Sequence, residues 1–331
     1  MKILVTGGLG FIGSNFIRYI LHEFRDVRVI NLDSLSSGSN IANLKDIEKD
    51  IRYSFIKGDI ANKRLVNKII NQVDIVVNIA AETHVDRSIA NPWPFIKSNV
   101  IGALTIFEAC VKLKKRVVHV STDEVYGDIL QGSFQEEDRL KPSSPYSASK
   151  AAADMFALAY HRTYDLDVVI VRSTNNFGPY QFPEKLIPKT IIRAHSNLPI
   201  PIYGKGQNVR DWIYVKDFST ALTLLLTKGK GGEIYNVSAG NELQNIELVT
   251  QILSLMNKPL NLITFVEDRP GHDIRYSLDS SKIRNELGWK PEHNFQEALK
   301  ATIDWYMNNE WWWKPIATQE VLHPTPWKIK W

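Results

Sequence analysis

Along the first half of the chain, short β-branched runs alternate with longer amphipathic stretches. Ile3–Thr6, Val27–Leu32, Tyr53–Ile56, Ile75–Ile79, Val117–Ser121 and Val168–Arg172 read as buried strands. Between them, Phe11–Phe24, Lys63–Asn71, Pro94–Lys114 and Tyr146–Tyr164 have helical length and pattern. Strand, helix, strand repeated in this way implies right-handed crossovers, and so predicts an α/β fold with a doubly wound parallel sheet covered on both faces. After about residue 175 the rhythm loosens. Pro179, Pro183, Pro188, Pro199 and Pro201 break the chain into elements too short to extend the same sheet simply. A smaller, mixed α/β lobe is expected there, with helical patterns at Val215–Thr227, Asn245–Met256, Ser280–Leu287 and Phe295–Asn308. No internal repeat or low-complexity segment interrupts either part.

Composition narrows the class. The 331 residues exceed the needs of a minimal binding module, and 44% hydrophobic with 23% charged residues is a globular balance. A net charge of +4 is too weak and dispersed to argue for nucleic acid, although it suits an anionic small molecule. The one cysteine, Cys110, excludes an intramolecular disulfide and a cysteine-based zinc cluster. Met1–Val5 is too short an apolar stretch for a signal peptide, and a run of about 18 apolar residues is not apparent. A cytoplasmic location is expected. Six of the nine tryptophans lie beyond residue 300, at 305, 311, 312, 313, 327 and 331.

Thr6-Gly-Gly-Leu-Gly-Phe-Ile-Gly-Ser14 follows the first strand and opens the first helix, with glycines at Gly7, Gly10 and Gly13. Such a turn lets a pyrophosphate approach the backbone and rest at a helix N-terminus. About 20 residues on, the second strand ends in Asp33, placed to bind an adenosine ribose hydroxyl and to repel a 2'-phosphate. NAD is therefore the expected cofactor and the sheet is of Rossmann type. Asp59, closing the third strand, is a candidate acceptor for the adenine amine. The expected division is an NAD-binding domain over 1–175 and mainly a ligand-binding lobe over 176–331.

Tyr146 and Lys150 are four residues apart, hence on one helical face. A phenol is a poor base at neutral pH, but an adjacent ammonium and a bound nicotinamide cation both favour the phenolate. Thr122, Asp123 and Glu124 fall at the carboxyl end of the fifth strand, the edge where open parallel sheets bind ligands. Two adjacent carboxylates in different environments can act as acid and base, which an elimination of water requires.

The Tyr/Lys pair joined to the glycine turn resembles the extended short-chain dehydrogenase/reductases. The run Ala80–Ile89, the Thr122-Asp-Glu124 triplet, Tyr146–Lys150, Asn175–Pro188, Pro201-Ile-Tyr-Gly204, Asn208-Val-Arg-Asp-Trp212 and Arg269-Pro-Gly-His-Asp273 resemble the dTDP-glucose 4,6-dehydratases, in the family's order, over residues 1 to about 315. Epimerases of the superfamily lack the Asp-Glu pair and mannose dehydratases carry Ser in place of the Asp, so Asp123 discriminates. The resemblance implies oxidation of the sugar at carbon 4, elimination of water across carbons 5 and 6, and reduction at carbon 6 by internal hydride transfer, feeding deoxysugar synthesis of the rhamnose type. Tyr146 would deprotonate the carbon-4 hydroxyl, Thr122 polarise the resulting carbonyl, Glu124 take the carbon-5 proton and Asp123 protonate the departing hydroxyl.

The resemblance adds Phe11, Ile12, Ser34, Leu35, Ser36, Ile60, Ile79, Ala80, Ala81, Thr83, Ser98 and Asn176 to the expected cofactor contacts, besides Tyr146 and Lys150. It implies substrate contacts from Thr83, His84, Thr122, Asn175, Glu184, Lys185, Leu186, Pro201, Ile202, Tyr203, Arg210, Asn245, Asp268, Arg269, Gly271 and His272. Arg210 and Arg269 suit a diphosphate clamp. His84, His119 and His272 lack metal-ligand spacing, and no metal is expected. A homodimer is expected through a four-helix interface built from Pro94–Lys114 and Tyr146–Tyr164. The alternatives are another NAD-retaining nucleotide-sugar enzyme (a UDP-glucose 4,6-dehydratase, a 4-epimerase or a decarboxylase) and a dinucleotide- or RNA-binding protein without turnover. The segment Ala317–Trp331 has no counterpart in the resemblance and reads as a surface-draped extension whose tryptophans cover apolar surface.

Overall fold

The structure is a computed structural model that describes residues 1–330; Trp331, part of the expected extension, lies outside the described residues. Its first half alternates strands β1 (Lys2–Thr6), β2 (Arg28–Asp33), β3 (Tyr53–Lys57), β4 (Ile75–Asn78), β5 (Arg116–Thr122) and β6 (Val168–Ser173) with helices. These are α1 (Phe11–Glu23), α2 (Lys63–Ile70), α3 (Val85–Ala90), α4 (Trp93–Phe95), α5 (Ala103–Leu113) and α6 (Pro145–Tyr164). The second half contributes β7 (Asn175–Phe177), α7 (Leu186–His195), β8 (Ile200–Tyr203), β9 (Val209–Tyr214), α8 (Val215–Lys228), β10 (Ile234–Val237) and β11 (Glu242–Gln244). It ends with α9 (Asn245–Leu255), β12 (Ile263–Val266), α10 (Ser281–Leu287), α11 (Phe295–Asn308) and α12 (Glu310–Trp313).

The large sheet is parallel, in the order β3-β2-β1-β4-β5-β6-β10. Its central strands are largely apolar because both faces are covered. Ile3, Val5, Val29, Val77 and Val118 face α1 and α8, where Phe16, Ile20, Phe218 and Leu222 meet them. Leu4, Ile30, Val76 and Val117 face the other way, toward Val66 and Ile69 of α2, Phe107 of α5 and Ala153 and Ala157 of α6. The order reverses between β1 and β4, which opens a crevice at the carboxyl ends of the strands.

Two features depart from the expected layout. Residues 215–237 return to the large sheet: α8 packs on α1, and β10 pairs with β6, Ile234 opposite Ile170. The sheet therefore does not end at the 175/176 division, because a short strand after the prolines still finds an open edge at β6. The stretch expected as one helix over Pro94–Lys114 contains a wide π-helical segment, Ile96–Gly102. There Asn99 is buried, its side chain bonded to both main-chain groups of Glu82 and to Ser149 Oγ. Such a bulge commonly marks a functional position. By length and composition alone the 21 residues Trp93–Leu113 could cross a membrane. Here the stretch packs between α2 and α6, and half of its apolar window is buried.

The remaining strands form two small sheets, β11-β9-β7 and β12-β8, beside the crevice. Ile200 and Ile202 pack with Ala194, Val249 and Leu253 under the second, and Phe177, Ile191, Trp212, Leu248, Leu299, Tyr306, Trp312 and Trp313 make the core under the first. Trp305 and Trp312 stack edge-on at 5.1 Å there, so part of the late tryptophan cluster is core.

Candidate active site

The glycine turn leads from β1 into α1. Gly7 has φ +69°, open to glycine at little cost, and a Cβ there would lie 2.7 Å from Ala80 Cα. A Cβ on Gly13 would lie 2.3 Å from Gly7 O. Gly10 caps α1 without a side chain, so the first-turn N–H groups are available to an anion. Asp33, buried at the end of β2, holds the turn in shape: its carboxylate accepts from Leu9 N at 2.9 Å, Leu35 N at 2.8 Å and Ser39 Oγ at 2.9 Å. Two carboxylate oxygens offer about four acceptor sites, which leaves room for a ribose hydroxyl. A cavity of about 780 Å³ runs from this turn past Asp59 and Ser98 to Tyr146 and Lys150, a size and lining suited to a dinucleotide.

At its inner end β5 stops and α6 begins. Pro145 starts α6 behind a Ser144/Ser147 capping box, which fixes the first turn and with it Tyr146. Lys150, one turn on, is buried and donates to Val120 O at 2.6 Å. Burial brings its ammonium down to about 8. Burial also pushes the Tyr146 phenol far up, and the charge of Glu124 adds to the effect. The protein's own groups thus hold Tyr146 protonated at neutral pH, Lys150 notwithstanding.

Thr122 ends β5 and caps the turn that carries the two acids; its hydroxyl donates to Asp123 Oδ1 at 3.1 Å. Burial and the neighbouring Glu124 charge raise Asp123 well above the ordinary carboxyl value, only partly offset by the Thr122 bond and Arg210. Glu124 is raised by burial too, but Arg269, Arg210 and Lys185 all pull it back down. Both carboxyls are thereby raised, but unequally: Asp123 is pushed further toward the protonated form, while the three cations hold Glu124 back from it. Asp123 Oδ2 and Glu124 Oε2 are buried with no hydrogen-bond partner, as are Asn175 Oδ1, Asn176 Oδ1 and Asn245 Oδ1 around them. Unpartnered polar atoms clustered at one place suit a polar ligand that completes them.

Beyond Glu124 and Asn175 a second cavity of about 160 Å³ continues the first, with Lys185, Arg210, Arg269 and His272 in its wall. Arg269 Nη1 donates to Asp86 Oδ1 at 3.2 Å while its Nε is buried and unpartnered. Arg210 stacks on Tyr276 at 4.1 Å and already donates to the carbonyls of Val209 and Asp273, so only part of its fork faces the cavity. Burial and the two arginines bring His272 down to about 4, against the pull of Asp268 at 2.6 Å, so its ring is neutral.

A GDP-mannose 4,6 dehydratase family model matches residues 4–302. The dTDP-glucose 4,6-dehydratase of Streptomyces niveus is 44% identical over 331 residues, 98% of each chain. This chain belongs to the dTDP-glucose 4,6-dehydratase family. Among solved structures, the family's DesIV enzyme of Streptomyces venezuelae, with NAD bound, has 47% identity and a TM-score of 0.94, over 96% of this chain and 100% of that one. A UDP-glucose 4-epimerase of Thermus thermophilus, in complex with NAD, has 30% identity and a TM-score of 0.86 over 93% of this chain and 100% of its own. The fold is thus shared with epimerases.

Most residues expected to contact ligand in this dehydratase family line the two cavities, from Gly7 to Asn176 in the first and from His84 to His272 in the second. Three do not. Leu35 has φ +60° and turns its side chain into the core beneath β2. Asp268 accepts from the ring of His272 and so acts behind it. Gly271, at φ +65°, forms the turn that lets the segment pass Ser143 O, 3.1 Å from where its Cβ would be. His84 lines the second cavity and also caps α3, accepting from Arg87 N at 3.3 Å. His119 is structural, bonded to Asn78 Nδ2 at 3.0 Å. Sequence reasoning missed Asp86, Lys189 and Trp212 in the second cavity and Glu82 and Lys97 in the first. The Arg-Asp-Trp motif pointed to Trp212 and the Ala80–Ile89 run to Asp86. Lys189 gave no local signal, since its burial arises only when α7 packs.

Proposed function

We propose that the chain catalyses the dehydration of dTDP-glucose to dTDP-4-keto-6-deoxyglucose, with NAD as a retained cofactor. The observation that carries this reading is the adjacent pair of buried Asp123 and partly buried Glu124 beside Tyr146, with Arg269, Arg210 and Lys185 favouring the charged form of Glu124 while burial and Glu124 itself raise Asp123. An epimerase needs no acid and base for elimination.

The glycine cradle, Asp33 and the long first cavity fit NAD, which Gly7, Gly10, Gly13, Asp33, Asp59, Lys150 and Asn176 would hold. When bound, NAD supplies a reversible two-electron exchange and a positive charge that lowers the affinity of Tyr146 for its proton. Under that charge Tyr146 would lose its own proton to solvent and, as phenolate, receive the proton of the carbon-4 hydroxyl, while Lys150 fixes its surroundings through Val120 O. Thr122 stands at the developing carbonyl, whose electron withdrawal acidifies the hydrogen on carbon 5. Glu124, the less raised of the two acids because Arg269, Arg210 and Lys185 favour its charged form, removes that hydrogen as a proton. Asp123, pushed toward the protonated form by burial and by the Glu124 charge, gives its proton to the hydroxyl leaving carbon 6. With the sugar at these acids, the diphosphate extends toward Arg269 and Arg210 in the second cavity.

Incubation with dTDP-glucose and with UDP-glucose tests the reading: a 4-keto-6-deoxy product from dTDP-glucose supports it. An epimerised or decarboxylated sugar points to the sister enzymes, and binding without turnover to a non-catalytic protein.

The division of labour follows the same lines, with 1–175 mainly holding NAD and 176–331 mainly the sugar nucleotide, apart from α8 and β10. The homodimer is part of the proposal: Trp93, Ile96 and Ile101 on one helix and Met155, Phe156 and Tyr164 on α6 are exposed apolar residues, which a second copy would cover in a four-helix contact. Light scattering tests it, a monomer's mass being the refuting result. A cytoplasmic location agrees with the buried, unpaired Cys110 and is tested by cell fractionation.

A further inference from the structure

The last tryptophan described, Trp327, does not join the core formed by Trp305, Trp312 and Trp313. From Val321 the chain runs along the outside of the second cavity. Val321 and Leu322 are buried; Arg193 donates to Leu322 O and Lys189 to His323 O at 3.2 Å, both from α7. Lys328 pairs with Glu267. Between these anchors a 3-10 turn, Pro326–Lys328, packs on α3. Trp327, 8% exposed, meets the ring of Tyr203 edge-on, with centroids 4.8 Å apart.

Tyr203 is the inner face of that contact. Its hydroxyl donates to Asp86 Oδ2 at 2.9 Å, and Asp86 Oδ1 accepts from Arg269 Nη1 at 3.2 Å. Tyr203, Asp86 and Arg269 all line the second cavity, whereas Trp327 lies behind the wall. Asp86 sits on α3, so the tail braces both ends of the Tyr203–Asp86 bond: the tryptophan presses on the ring and the turn presses on the helix. A guanidinium aimed at a diphosphate must be held in direction as well as in place, and Arg269 takes its direction from Asp86.

We propose that Val321–Lys328 is a positioning element for the nucleoside-diphosphate end of the substrate, acting through Tyr203 and Asp86 on Arg269. The proposal rests on the nucleotide-sugar reading above. It assigns the tail to substrate binding and not to the chemical step.

The test uses the NAD-loaded full-length enzyme and dTDP as the binding probe, measured by calorimetry, together with steady-state kinetics on dTDP-glucose. Trp327→Ala removes one aromatic pair and should weaken dTDP binding and raise KM by about 3- to 10-fold. The value of kcat should stay within about 2-fold, because the acids in the turn after β5 are untouched. Trp327→Phe keeps an edge-on ring and should restore most of the loss. Tyr203→Phe retains the ring against Trp327 but breaks the link to Asp86; if the path runs as proposed, its effect and that of Trp327→Ala should be clearly less than additive. Should Trp327→Ala fail to fold, Tyr203→Phe and Trp327→Phe decide the matter, and a Tyr203→Phe enzyme with unchanged dTDP affinity overturns the proposal. So does a Trp327→Ala enzyme with unchanged KM, or one in which kcat, NAD content and Tm fall together while dTDP affinity holds. Wild-type enzyme that binds no dTDP would instead refute the functional reading.

Discussion

Asp123→Asn separates the chemistry from the architecture. Asn has the same shape, and its Oδ1 can still accept the Thr122 hydroxyl, which now lies 3.1 Å from Asp123 Oδ1. What is lost is a transferable proton. A positioned general acid is worth roughly 10²- to 10⁴-fold, so kcat should fall by that factor, equivalent to about 3–5 kcal/mol on the barrier. The loss falls on elimination and not on the oxidation before it. In the variant mixed with dTDP-glucose, the absorbance of reduced nicotinamide should therefore build up and persist, while 4-keto-6-deoxy product forms slowly. The same substitution acts on stability with the opposite sign. Asp123 has a folded-state affinity for its proton raised by burial and by Glu124, so its contribution to stability is fully present below the ordinary carboxyl range and is lost as pH rises through the raised value. Asn carries no such charge, and the variant's Tm should exceed that of the wild type near neutral pH, with the gap closing toward acid. Dehydration at the wild-type rate, or a variant without accumulated reduced cofactor and without a Tm gain, would refute the assignment of Asp123 as a protonated acid.

Tyr146→Phe should lose about 10²-fold or more in kcat with NAD still bound, read from cofactor absorbance, and no reduced cofactor should appear on adding substrate. Gly13→Ala places a methyl 2.3 Å from Gly7 O, and the shift it forces should cost about 1–3 kcal/mol and weaken NAD binding, by calorimetry and thermal melting. His84 is held well below its ordinary range by burial, so its contribution to stability is present above the unfolded value and lost as pH falls toward the folded one. His84→Asn keeps an acceptor for the α3 cap and should lose less Tm than wild type between about pH 7 and pH 5.

The strands of the first half were legible because central parallel strands are covered on both faces, and Ile3–Val5, Val76–Val77 and Val117–Val118 therefore read as unbroken apolar runs. β10 was not. Its four residues follow Lys228-Gly-Lys-Gly-Gly232, and no local pattern says that Ile234 pairs with Ile170. α7 was hidden by Pro183 and Pro188, although Pro188 falls in the helix's first turn, where its missing N–H costs nothing. The catalytic residues were recognisable as motif and spacing. Their division into acid and base followed there only from the family resemblance; its physical basis was not legible, because it depends on Lys185, Arg210 and Arg269 converging on Glu124 from distant parts of the chain. The tail's role is likewise tertiary: nothing in His323–Lys328 names Tyr203 as the partner of Trp327.

The central claim is one site that oxidises, eliminates and reduces the same sugar. Purified enzyme, supplied with dTDP-glucose carrying deuterium at carbon 4 and no added reductant, tests it by mass and NMR analysis of the product. The account predicts dTDP-4-keto-6-deoxyglucose with the deuterium retained at carbon 6. Deuterium lost to solvent or to an external acceptor, or a sugar that keeps its carbon-6 hydroxyl, would contradict it.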